Sequence, residues 1–108
     1  MPRIAKRLSG PAQLGNSAAT VYTVPSLTKT IIRHIHVQNP SAAAVTFTLS
    51  IGADAAGTRL FDAFSIGANQ VLDHFCYYVA DAAEIVQAYA GTAATLVMTM
   101  DGDESVLG

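Results

Sequence analysis

Residues 44 to 51 read Ala44-Val45-Thr46-Phe47-Thr48-Leu49-Ser50-Ile51. From Val45 on, every second side chain is large and apolar, and those between are Thr or Ser. In an extended chain successive side chains point to opposite faces. Val45, Phe47, Leu49 and Ile51 therefore share one face, and Thr46, Thr48 and Ser50 the other. β-branched and aromatic residues also suit a pleated surface. The stretch predicts a strand with a buried apolar side and an exposed Thr/Ser side.

The same two-residue rhythm runs outward in both directions, and helical periodicity is hard to find anywhere. Upstream, Thr28 to Asn39 carries Ile31, Ile32, Ile35 and Val37. Ile31, Ile35 and Val37 alternate correctly, but Arg33 falls on their face. A β-bulge near Arg33 and His34 would turn Arg33 outward and let Ile32 join the core. Asn39-Pro40-Ser41-Ala42 supplies turn chemistry, so residues 28 to 51 are expected to form a hairpin. Further strands are expected over Lys6 to Leu14, Thr20 to Val24, Arg59 to Ile66, Gln70 to Val79, Glu84 to Ala90 and Thr95 to Met100. The first is interrupted by Gly10-Pro11, which suits an edge. The Ala-rich run from Asp81 to Ala94 has room for one helical turn.

Short strands with turn signals every 8 to 12 residues place the chain in the all-β class. The predicted fold is an antiparallel β-sandwich or jelly roll of seven to eight strands, with a small closed barrel as the alternative. Val45, Phe47, Leu49, Phe64, Phe75, Ile85, Leu96 and Met98 are the expected core. Residues 1 to 18 are expected to form a partly extended N-terminal arm, 19 to 101 the sandwich, and 102 to 108 a loose acidic tail.

With 108 residues the chain is the size of one domain. Only 13% of it is charged, which leaves a surface short of solubilising groups and favours association. The charges are also segregated. Residues 1 to 53 carry +5 and no acid, whereas residues 54 to 108 carry −7. A basic arm docking through Arg3, Lys6 and Arg7 on an acidic surface follows from that asymmetry. Five basic residues without interleaved aromatics make a poor phosphate track, so nucleic acid is not an expected partner. The single cysteine, Cys76, cannot form an internal disulfide and is expected to act as a small buried hydrophobe. No apolar run follows the charged start, and none is long enough to cross a bilayer. A soluble protein made in a cytoplasm, without a membrane partner, is expected.

Signs of catalysis are sparse. His34 and His36 stand at i and i+2 and so share a face of one strand, while His74 lies on another. Two imidazoles can begin a metal site, and a trimer would bring six nitrogens together. No carboxylate or thiol is near them in sequence, so no metal and no cofactor is expected. Asp62 and Asp73 would face each other only if their strands formed a hairpin, and His74 points away from Asp73. Ser50 and Ser65 lack a nucleophile elbow, and no phosphate-binding or dinucleotide motif occurs. Enzymatic activity is not expected. In Gly52 to Arg59, Asp54 is expected to cap the turn or pair with Arg59. One carboxylate is far too few for Ca²⁺.

Three runs carry a family resemblance: Thr20-Val21-Tyr22-Thr23-Val24-Pro25-Ser26, Thr30-Ile31-Ile32-Arg33-His34-Ile35-His36-Val37-Gln38-Asn39-Pro40-Ser41, and Val45-Thr46-Phe47-Thr48-Leu49-Ser50-Ile51-Gly52. Over residues 18 to 90 the chain resembles small β-sandwich structural proteins of tailed bacteriophage virions, capsid decoration proteins among them. The resemblance implies a sandwich that assembles on the virion, often as a homotrimer. It implies contact with the major capsid protein or another virion protein, and no catalytic residues. Its expected role is capsid decoration, a cement on the outer head surface, with assembly in the host bacterial cytoplasm. A neck, collar, tail or fibre part is the structural alternative. A host-glycan-binding module is the other, with Phe75, Tyr77 and Tyr78 as its candidate aromatics.

Overall fold

The computed structural model describes residues 3–106, which form eight strands: β1 (Arg3–Gln13), β2 (Ala19–Thr23), β3 (Thr28–Gln38), β4 (Val45–Ile51), β5 (Arg59–Ile66), β6 (Val71–Ala80), β7 (Ile85–Ala90) and β8 (Val97–Val106). They pair antiparallel in two four-stranded sheets, ordered β1-β8-β3-β6 and β2-β7-β4-β5. This interleaving of early and late strands across two sheets is a jelly roll. The all-β class and antiparallel sandwich expected from the alternation are therefore observed. The described residues contain no helix, and none long and apolar enough to cross a membrane.

The core lies between the sheets. One sheet contributes Ile32, Ile35, Val37, Met98 and Met100, the other Val45, Phe47, Leu49, Val86, Ala88 and Ala90, all nearly or fully buried. Each large side chain buried this way stabilises the fold by roughly 1.5–3 kcal/mol. The expected bulge is present. Both pairings of β3 slip register between Ile32 and His34, so Ile32 is buried while Arg33 stands outside.

The expected hairpin over residues 28 to 51 is not formed. β3 pairs with β8 and β6, and β4 pairs with β5 and β7. The segment between them crosses from one sheet to the other, with Asn39 at the corner and fully buried. Asn39 Nδ2 donates to the carbonyls of Ala43 (2.9 Å), Ile66 (2.9 Å) and Gly67 (3.1 Å). Its Oδ1 accepts from the Ser41 amide (3.1 Å) and hydroxyl (2.7 Å). Alternation fixes a strand's faces but not its partner, and both strands alternate equally well. β5 and β6 likewise lie in different sheets, so Asp62 and Asp73 do not face each other.

Other expectations are corrected in detail. Thr48 and Ser50 are buried, not exposed. Thr48 Oγ1 accepts the Ala63 amide (3.0 Å), and the Ser50 hydroxyl donates to the Gly52 carbonyl (3.0 Å). Of the expected core, Val45, Phe47, Leu49, Leu96 and Met98 are buried and Ile85 is half-buried. Phe64, on edge strand β5, stays 45% exposed at the rim, edge-on to Phe61. Phe75 lies outside the sandwich altogether.

The arm and tail give way to sheet structure. Residues 3–13 are an edge strand, β1, hydrogen-bonded along β8. The acidic run Asp101 to Val106 is the second half of β8, held between β1 and β3. The Tyr22 hydroxyl, from the opposite sheet, donates to Glu104 and also bonds Thr30 Oγ1 (2.8 Å). Burial, with Glu104 beside it, pushes the Tyr22 phenol up to about 12. Parts of the expected arm and tail, residues 1–2 and 107–108, fall outside the described residues.

Candidate functional site

The chemistry-bearing residues gather on the outer face of the β1-β8-β3-β6 sheet. Along β6, Leu72, His74, Cys76, Tyr78 and Ala80 turn toward the core, and the residues between them turn out. Val71, Phe75, Tyr77 and Val79 therefore form an outward row, exposed by 48, 77, 61 and 49%. β6 is also a sheet edge, with one side unpaired. The expected aromatic trio is split. Phe75 and Tyr77 face solvent, but Tyr78 turns inward, its hydroxyl 3.0 Å from His74 Nε2. Cys76 also turns inward, with Sγ 3.4 Å from the Ile32 carbonyl, and burial pushes its thiol up.

The charge segregation seen in the sequence is largely answered inside the chain. Acidic β8 lies between the basic strands β1 and β3. Lys6 pairs with Glu104 (3.2 Å), Arg33 with Asp103 (2.7 Å) and Lys29 with Asp81 (3.3 Å). Exposed pairs of this kind contribute little stability, but they satisfy bases that looked free in the sequence. Of the three expected docking residues, Lys6 is thus paired. Arg3 and Arg7 stand exposed on edge strand β1 without an ion pair among the described residues. Arg7 and Arg33 line a shallow groove with Asp101 and Asp103. Arg33 also lies over the Tyr77 ring, 5.5 Å from its centroid, a cation–π contact that ties the basic and aromatic parts of the face together. Arg59 grips Asp54 through two bonds (2.9 and 3.1 Å), as its spacing suggested, and this holds the Asp54 carboxyl below the usual carboxylate range.

At the centre of the face, His34 and His36 project from β3 beside Asp73 of β6. Both imidazoles reach the same carboxylate oxygen. His36 Nδ1 is 2.6 Å and His34 Nε2 2.9 Å from Asp73 Oδ1. A carboxylate oxygen only accepts, so each ring donates its N–H. The two bonds, that from His36 first, hold the Asp73 carboxyl below its usual range. The other nitrogen of His34, Nδ1, lies 3.8 Å from Asp101 Oδ2. Phe75 stacks on the His34 ring at 4.4 Å and 8°. The sequence showed the His-x-His pair but no carboxylate near it. Pairing of β6 with β3 places Asp73 directly opposite His36. The signal in the sequence was the outward phase of Asp73 and Phe75 on β6, usable only once β6 is known to neighbour β3.

No family model matches this chain, and no curated protein matches it in sequence. Among solved structures, a chain in the structure of infectious bursal disease virus Gx strain superposes with a TM-score of 0.53 at 11% identity. The match covers 99% of this chain and 32% of that one, so the present chain corresponds to about a third of the viral chain. At that identity the likeness is one of fold alone.

Proposed function

We propose that this chain is a virion structural subunit that works by adhesion and not by catalysis. In this proposal it is a decoration-like block on the outer head surface of a tailed phage, assembled as a homotrimer and docked on the major capsid protein. The observation that carries it is the outward row Val71, Phe75, Tyr77 and Val79 on an edge strand, with Arg33 over Tyr77. Phe75, Tyr77 and Val79 are neighbours in that row, with Asp73 between them and Val71, and adjoining exposed apolar side chains in a small domain mark a surface that a partner covers. Aromatics and Arg are the residues enriched where such surfaces meet. The jelly roll is an architecture shared with viral capsid domains, and the fold likeness to a chain of a virus structure supports the same direction. Arg3 and Arg7, exposed on the opposite edge of the same sheet, are the docking residues of this proposal. Lys6 contributes less, because Glu104 already holds it.

The test is quantitative mass spectrometry of purified particles from the source culture. Decoration of a head predicts hundreds of copies per particle. A handful of copies would move the protein to the neck or tail, and absence from particles would overturn the virion role.

A further inference from the structure

We propose that His34, His36 and Asp73 form a binding site for one divalent transition-metal ion of the zinc class on the outer face of the β1-β8-β3-β6 sheet. Three potential ligand atoms, one from each residue, lie within 4.8 Å of one another. The two imidazole–carboxylate separations are 2.6 and 2.9 Å. Around a zinc ion with bonds of about 2.1 Å, tetrahedral donors stand roughly 3.4 Å apart. Both observed separations fall short of that spacing, so the two imidazole nitrogens need to move away from the carboxylate oxygen by less than about an ångström each to seat an ion. Two imidazoles and one carboxylate, with the remaining positions open, are a donor set for zinc, cobalt, nickel or ferrous iron. Nitrogen donors disfavour Mg²⁺ and Ca²⁺, which take oxygen.

Three further features distinguish this arrangement from a chance surface cluster. First, the ligands stand on paired strands, His36 opposite Asp73, so the backbone under them is fixed by the sheet ladder. Second, His34 is oriented from behind. Its Nδ1 lies 3.8 Å from Asp101 Oδ2, too long for a hydrogen bond but close enough for the carboxylate to accept that N–H after a small rotation of either side chain. Third, Phe75 lies flat on the His34 ring, which gives a 77% exposed Phe a local role as a rotamer lock. The proton balance also closes. Each imidazole now donates from the nitrogen that would bind the metal. On metal entry its proton moves to the other ring nitrogen, which for His34 is the one facing Asp101. The carboxylate then bonds the ion in place of two N–H groups. The site itself needs only one chain.

The test is calorimetric titration of the full, untagged chain with ZnCl₂, with Co²⁺ absorption in the visible as a second readout of nitrogen and oxygen coordination. The expected result is one saturable site per chain. His36→Gln and Asp73→Asn should each weaken it by at least about tenfold, and Asp101→Asn or Phe75→Leu by up to about tenfold as positioning residues. His74→Ala, on the inward face, should leave it unchanged. His36→Gln keeps a polar side chain of similar reach, and circular dichroism checks that each variant is folded. No saturable binding to the wild-type chain, or equal binding by His36→Gln and Asp73→Asn, would show that Asp73 merely accepts two hydrogen bonds. Either result would leave the docking proposal untouched, because the titration uses the isolated chain.

Discussion

Replacing Asn39 with Ala tests whether the corner between β3 and β4 is held as described. The side chain is fully buried and makes five hydrogen bonds. Not all are worth the same. The Ala43 and Gly67 carbonyls and the Ser41 groups are only part-buried or exposed, so water can replace Asn39 there at about 0.5 kcal/mol each. The bond to the Ile66 carbonyl is buried, and leaving that acceptor unpaired costs about 1–3 kcal/mol. Together Asn39→Ala should destabilise the fold by roughly 3–5 kcal/mol, a large part of the ~5–15 kcal/mol expected of a whole domain. At about 4–6 °C per kcal/mol this lowers Tm by roughly 12–30 °C. Urea unfolding followed by circular dichroism, with m held constant, measures it. Asn39→Asp keeps the acceptor for Ser41 but aims an anion at three carbonyls, so it should be worse than Ala. An Asn39→Ala variant within about 0.5 kcal/mol of wild type, or an Asp variant milder than Ala, would refute the corner as described.

Three more outcomes are expected. Gly102 sits in β8 where an added Cβ would lie 2.0 Å from the Ile31 carbonyl oxygen, so Gly102→Ala should cost about 1–3 kcal/mol in chemical unfolding, with no loss if residues 101 to 106 were a free tail. Asp54 titrates below its ordinary range because of Arg59, so its contribution is complete above about pH 4 and is lost as pH falls through the lowered value; Asp54→Asn should flatten that acid limb of the stability profile. Phe75→Ser with Tyr77→Ser should leave unfolding within about 1–2 kcal/mol of wild type. The same pair should reduce self-association in light scattering, whereas unchanged association would move the contact off β6.

The strands themselves were legible because each needs only its own residues. Alternation placed β4 and β5 within a residue of where they lie, and the clash of Arg33 with its neighbours revealed the bulge. Pairing was not legible, because it depends on partners far along the chain. Asn39-Pro40-Ser41 has the chemistry of a hairpin turn and also that of a corner between sheets, and nothing local separates the two. The same gap hid the candidate site. Asp73 follows His36 by 37 residues and meets it only because β6 lies beside β3. Phe75 looked like core because it is large and apolar. The phase of its strand is set by Leu72, His74, Cys76 and Tyr78, which pack inward and leave it outside. Charge was misleading for a related reason. A basic first half and an acidic second half suggested two molecules, yet the jelly roll threads β8 between β1 and β3 and lets one chain satisfy both.

The most direct test of the adhesive role is a cryo-electron microscopy map of the intact particle in which this chain is located. The expected result is the sandwich on the outer head surface, with Phe75, Tyr77 and Val79 covered by a neighbouring copy or by the shell. A chain found on the particle with that row facing solvent in every copy would contradict it.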